Sequence, residues 1–172
     1  MTANGFAEPN LFEMTEEQAL GKLAAMCSTA EHCRSDITDK LLKWGIGDDA
    51  RARIMRRLEE ERYVDDMRYC RAYVRDKVKF DRWGRIKIEH ALALKHIDRD
   101  LYTAVLDDVA DSDYIDALRP LIESKRHTVK ARNAYELNGK LMRFAMQRGY
   151  TMDIIRRCIG TDGCDEPFDC EP

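Results

Sequence analysis

A chain of 172 residues has the length of one domain or of a few very small units in series. It is 44% hydrophobic and 35% charged with 9 Gly and 4 Pro, the balance of a soluble, helix-rich protein. No run of about 18 apolar residues occurs, which excludes a membrane-spanning helix. The start, MTANGFAEPNLFEM, lacks the basic-then-apolar order of a secretory signal, so a cytoplasmic location is expected.

The net charge of −3 conceals blocks. Residues 51–100 carry 15 Lys and Arg against 10 Asp and Glu (+5), and residues 119–157 carry 10 against 3 (+7). The segments 1–50, 101–118 and 158–172 are each −5. Two basic zones set between acidic stretches suit an anionic partner, although a solvated helical surface has the same composition. The cysteines (27, 33, 70, 158, 164 and 170) form no Cys-x-x-Cys, and no His stands at finger spacing. Inert, reduced thiols are therefore expected and no zinc site. Cys164 and Cys170 are the pair open to oxidation.

In chain order, Thr15 and Gln18 form a capping box before Ala19, Leu20 and Leu23, which opens a first helix. A second follows on Ile37, Leu41 and Leu42, and Gly45 stands where the chain must turn left-handed. Ile46, then Gly47 as N-cap and Asp49 in the first turn, starts a third helix with Ala50 and Ile54 inward. The order then recurs. Asp65 or Asp66 precedes Tyr69, Ala72 and Tyr73; Ile88, Ala91 and Leu92 follow; His96, Ile97, Asp98 and Asp100 lead into Leu101 and Val105. In the last unit, Asp111 or Ser112 precedes Tyr114, Leu118, Leu121 and Ile122. Leu141, Phe144 and Ala145 come next, then Gly149, Tyr150, Thr151 and Asp153 ahead of Ile154 and Cys158.

Ile46, Ile97 and Tyr150 are thus equivalent, 51 and 53 residues apart. The fold expected is all-α: a tandem repeat of three three-helix units at 14–62, 64–110 and 112–160, elongated or curved, with an acidic disordered tail at 161–172. The third unit has a longer link around Lys125–Glu136, whose helical extent the pattern leaves open.

On a helix over 66–82, Arg68, Arg71, Arg75, Lys79 and Arg82 fall in one stripe, and Tyr69, Tyr73 and Phe80 cluster inward on another face. Such a stripe suits docking to phosphate or to an acidic protein, because the guanidinium fork binds two oxygens at once. Arg53, Arg56, Arg57 and Arg62 lie upstream and Arg85 and Lys87 downstream. The late zone offers Arg143, Arg148, Arg156 and Arg157, with Lys125, Arg126, Lys130 and Arg132 in the link. The contact residues expected are Arg56, Arg57, Arg68, Arg71, Arg75, Lys79, Arg82, Arg85, Lys87, Arg143, Arg148, Arg156 and Arg157.

Enzyme readings find little support. There is no GxxxxGK[ST] loop and no HExxH among the four histidines. Asp65 and Asp66 point about 100° apart on a helix and cannot both hold one metal without distortion. No catalysis and no cofactor are expected. A helix-turn-helix regulator is a rival, since the turns at Gly45–Gly47 and Gly149–Thr151 join helices briefly; their repetition in all three units makes them architectural.

These residues resemble the RecX family of RecA regulators. The resemblance is carried by Tyr63-Val64-Asp65-Asp66, Tyr69, Ala72 and Tyr73-Val74-Arg75-Asp76, then Gly84, Lys87-Ile88, Leu92, Lys95 and Ile97. Ser35, Leu41 and Trp44-Gly45-Ile46 are similar to the corresponding element of the first unit. The similarity runs over roughly residues 15–160. His96 replaces the glycine that the family pattern has after Lys95, at about 1 kcal/mol or less, and the acidic Cys-containing tail is a departure. The resemblance implies a non-enzymatic, monomeric modulator lying along the groove of the RecA–single-stranded DNA filament. It would inhibit the ATPase, strand exchange and coprotease activities of RecA, with direct contact to single- or double-stranded DNA as a further expectation. The alternative is a general nucleic-acid-binding helical repeat acting without RecA.

Overall fold

The computed structural model describes residues 14–160, which form helices and, among these residues, no strand. The tail at 161–172, with Cys164 and Cys170, lies outside the described residues. The helices are α1 (Glu16–Thr29), α2 (Arg34–Lys43), α3 (Asp48–Glu60), α4 (Asp66–Lys79), α5 (Arg85–Leu94), α6 (Arg99–Asp107), α7 (Asp111–Thr128), α8 (Ala134–Gln147) and α9 (Met152–Ile159).

The chain divides into two compact units. The first runs to Ala72 and takes in Lys95–Ile97; the second comprises Tyr73–Leu94 and the chain from Asp98 onward. In the first, α3 packs on both α1 and α2. Its core holds Ala19, Leu23, Ile37, Leu41, Ile46, Ile54, Met55, Leu58 and Val64, with Trp44 and Tyr63 partly covered against it. Leu23, Ile37, Leu41 and Leu58 are fully buried, each contributing about 1.5–3 kcal/mol of transfer free energy. In the second unit α7, α8 and α9 pack mutually, and α5 packs on α6. Ile88, Leu92 and Leu106 are buried there, as are Leu118, Ile122, Leu141, Tyr150 and Ile155.

The local signals act as their chemistry requires. Thr15 and Gln18 make the reciprocal capping box of α1. Gly47, Asp98 and Thr151 are the N-caps of α3, α6 and α9, and Asp98 accepts from the Asp100 N–H at 2.8 Å. The three equivalent turns have positive φ at Gly45 (72°), His96 (55°) and Gly149 (81°). At the first, the Ile46 N–H donates to Leu41 O and the Gly45 N–H to Leu42 O, a Schellman closure. Tyr150 and Gly149 repeat it onto Ala145 O and Met146 O. The apolar residue that follows each turn is buried: Ile46, Ile97 and Tyr150.

Several expectations need correcting. Helix α4 ends at Lys79 rather than Arg82; the chain turns there, with Arg82 at φ 52° and the Trp83 N–H returning to Lys77 O. Phe80 therefore leaves the inward face and is 71% exposed. Leu42, one step off the α2 stripe, is also exposed. Neither Asp111 nor Ser112 caps α7: Ala110 holds that position without a side-chain bond, and Asp111 is the first helical residue. The link left open by the pattern is short, since α7 continues to Thr128 through Pro120, whose missing N–H removes one helix hydrogen bond on an exposed side.

Candidate partner-binding surface

The adjacent aspartates at the start of α4 serve two different helices. The Asp65 carboxylate accepts from the Arg68 N–H at 3.0 Å and its carbonyl from the Tyr69 N–H, which caps α4. The Asp66 carboxylate instead accepts from the Arg34 N–H at 3.0 Å, at the start of α2, where the N-cap Cys33 supplies no side-chain bond of its own. Among the described residues no group of three His, Cys, Asp or Glu side chains is placed to hold a metal ion, and no helix is long and apolar enough to cross a membrane.

The thirteen expected contact residues separate into two sets. Five are engaged by carboxylates. Arg57 pairs with Glu61, Arg68 with Glu31, Arg75 with Asp76, Arg85 with both Glu89 and Asp107, and Arg157 with Asp111. Arg68 also donates to Arg62 O at 3.0 Å, so it pins the turn before α4 instead of projecting freely. Glu31 holds its guanidinium above the usual arginine range through their hydrogen bond. The other eight (Arg56, Arg71, Lys79, Arg82, Lys87, Arg143, Arg148 and Arg156) have no carboxylate within 4.0 Å among the described residues. Arg71 and Lys79 are exposed on α4, as is Arg75, so the helix keeps its basic stripe at i, i+4 and i+8.

Aromatic rings organise several of these cations in the second unit. Trp83 has Lys87 at 4.2 Å and Lys77 at 4.6 Å from its ring centroid. Phe144 has Arg148 at 5.1 Å and Lys125 at 5.3 Å. Lys79 lies 5.6 Å from the exposed Phe80 ring. The sequence reading did not single out Lys77 or Trp83. The available signal was an aromatic residue at a helix exit with a lysine one and a half turns before it and another at the start of the next helix.

A pocket of about 190 Å³ lies in the same unit, lined by Arg85, Val109, Asp111, Tyr114, Tyr150, Thr151 and Ile154. Its charged groups are already committed, Arg85 to Glu89 and Asp107 and Asp111 to Arg157. Burial pushes the Tyr114 and Tyr150 phenols up to about 12, which leaves neither a base at neutral pH. The pocket therefore offers no acid–base pair. The described cysteines are free thiols, and burial raises the pKa of Cys27, Cys33, Cys70 and Cys158, as expected for inert ones.

Comparison with known proteins gives a consistent result. Residues 65–106 match the second three-helix domain of RecX, and residues 111–159 match the third. The regulatory protein RecX of Clostridium perfringens (strain 13 / Type A) is 30% identical over 133 residues, covering 74% of this chain and 62% of the relative. That of Clostridium tetani is 28% identical over 133 residues, covering 74% and 61%. The chain thus spans less than two thirds of the length of these relatives. The crystal structure of RecX from Lactobacillus salivarius superposes with a TM-score of 0.74 at 21% identity, over 84% of this chain and 94% of that one. A second RecX crystal structure gives 0.76 at 17% identity, over 83% and 72%. At these identities the structures establish the fold: repeated helical units.

Proposed function

We propose that this chain, which belongs to the RecX family of regulatory proteins, is a cytoplasmic negative regulator of RecA. It binds as a monomer in the groove of the RecA–single-stranded DNA filament. There it inhibits ATPase, strand exchange and coprotease activities, and so modulates recombination and DNA repair. It acts by occupancy, without catalysis and without a cofactor. The three-helix repeats at 14–62, 64–110 and 112–160 are its binding modules.

The observation that carries this reading is the second set of cations. Eight of the thirteen expected contact residues have no carboxylate within 4.0 Å among the described residues, while the helices that carry most of them bury apolar faces. Cations without carboxylate partners favour an anionic partner, because their mutual repulsion is relieved on binding.

The test is a titration of DNA-dependent RecA ATPase with the purified chain. Inhibition near stoichiometric ratio, with stronger binding to preformed filaments than to DNA alone, is expected. Unchanged ATPase at stoichiometric excess overturns the reading. Tight, steeply salt-dependent binding to free DNA with no effect on RecA would favour the RecA-independent alternative.

A further inference from the structure

The repeat allows two equivalent joints to be compared side chain by side chain. At the first, Lys95 Nζ lies 2.8 Å from Asp36 Oδ1, so the turn after α5 is tied to α2 by an ion pair. Stepping forward by the repeat offsets, Asp36 becomes Lys87 and Lys95 becomes Arg148. The second joint therefore has two cations where the first has a cation and an anion.

The backbone at this second joint is tightly drawn together. The Gly84 N–H donates to Arg148 O at 2.8 Å and the Ile86 N–H to Gly149 O at 3.0 Å. A Cβ on Gly149 would stand 2.4 Å from the Lys87 Cβ. Lys87 and Arg148 are thus held on neighbouring backbone segments, and neither has a carboxylate within 4.0 Å among the described residues. Their charges are kept in place by aromatic rings, Trp83 for Lys87 and Phe144 for Arg148. Each ring holds a second cation, Lys77 and Lys125, and among the described residues only Lys77 of the four is ion-paired, to Asp81. A solvated surface does not require this arrangement, since the sister joint shows that the same positions accept a neutral pair.

Phe80 adds the second chemistry. It stands three residues before Trp83, is 71% exposed, and has Lys79 beside its ring. An open ring with a cation beside it, three residues from the Trp83 ring that carries Lys87, offers a stacking face to an unpaired base, which a duplex cannot offer without unstacking.

We propose that this joint is a binding site for a single nucleic-acid strand, with Lys87 and Arg148 on phosphates and Phe80 under a base. The proposal deepens the filament reading and rests on it for its biological setting, but binding to a free strand tests it alone. Fluorescence anisotropy of the full chain with a labelled oligothymidylate of about 20 nucleotides, and with a duplex of the same length, is followed from about 50 to 200 mM salt. Lys87→Gln with Arg148→Gln is expected to reduce the log–log salt slope on the strand by about 1.4, at about 0.7 per phosphate contact. Phe80→Ala is expected to weaken the strand about tenfold and to leave the duplex unchanged. Lys87→Gln alone, which leaves the Gly149 contact intact, should show half the slope change and guards against misfolding of the double variant.

A slope equal to wild type in both variants overturns the site. So does displacement of the strand by polyglutamate at charge-equivalent concentration, which would assign the surface to an acidic protein. The RecA ATPase titration separates the two readings: an unchanged slope with inhibition intact overturns the strand site and leaves the filament reading standing. A reduced slope from a chain that never inhibits RecA does the reverse.

Discussion

Asp66 caps a helix that is not its own. Its carboxylate accepts the Arg34 N–H at 3.0 Å, while its neighbour Asp65 caps α4, the helix that Asp66 itself opens. A helix N-terminus exposes unpaired N–H groups and a partial positive charge, and a carboxylate there satisfies both. Asp66→Ala should destabilise the protein by about 1 kcal/mol, comparable to Asp65→Ala. The two differ in where the loss appears. Hydrogen exchange should accelerate at the first turn of α2 in Asp66→Ala and at the first turn of α4 in Asp65→Ala. Faster exchange confined to α4 in both variants would refute the division of labour.

Gly84 and Gly149 bring two backbone segments of the second unit into close approach. A Cβ on Gly84 would lie 2.3 Å from the carbonyl of Gly149 and the nitrogen of Tyr150, groups that cannot move aside as a flexible side chain can. Gly84→Ala should therefore cost about 2–3 kcal/mol through overpacking. Gly45→Ala is the control: its φ is positive, unlike that of Gly84, but nothing lies within 4 Å of the added methyl. It should cost only about 1 kcal/mol for the left-handed backbone. Urea denaturation of both variants measures the difference, and equal costs would exclude the close approach.

Much of the fold was legible because its signals are local. Thr15–Gln18, the acids at helix starts and the three left-handed turns at Gly45, His96 and Gly149 each act within a few residues, so spacing alone reveals them. Burial of Ile46, Ile97 and Tyr150 followed from their place just after those turns. The exit of α4 was misread because Phe80 and Arg82 continue the periodicity while the backbone has already turned. For the candidate surface, sequence supplied the cations and not their partners. That Arg68 is spent on Glu31, and that Lys87 sits on Trp83, depends on contacts which helical spacing does not encode.

The Lys95–Asp36 pair should make a measurable but modest contribution. Both side chains are a little over one-quarter exposed, so a coupling of about 0.5–1 kcal/mol is expected from a cycle of Asp36→Asn, Lys95→Met and the double variant. Burial opposes ionisation of Asp36, but the hydrogen bonds from Lys95 and Cys33 outweigh it and hold the carboxyl below its ordinary range. Its stabilisation is present above the unfolded carboxyl value and is lost as pH falls through the lower folded value. Lys95 is raised, against the effect of burial, by the same bond to Asp36 and by Tyr69. That share is present below the ordinary lysine value and disappears as pH rises through the folded one. Additive single-variant effects at neutral pH would show that the pair is decorative.

Three buried tyrosines set the alkaline limit. Burial pushes Tyr69, Tyr114 and Tyr150 each up to about 12 from an ordinary value of 10. Below that ordinary value both folded and unfolded chains keep the phenols neutral. Between the two values the unfolded chain ionises and the folded one resists, so each tyrosine removes about 1.4 kcal/mol per pH unit and the three together about 4. Replacement by Phe should abolish one third of that slope at each position, with distinct effects near neutral pH. Tyr150 donates to Arg82 O at 2.9 Å, so Tyr150→Phe should cost about 1 kcal/mol. The buried Tyr114 hydroxyl has no hydrogen-bond partner among the described residues, so Tyr114→Phe should be neutral or stabilising by up to about 1 kcal/mol. Urea denaturation from near neutral pH to about pH 11 reads both quantities. An alkaline slope in Tyr114→Phe as steep as wild type would mean that this phenol titrates normally and is not buried in the folded chain.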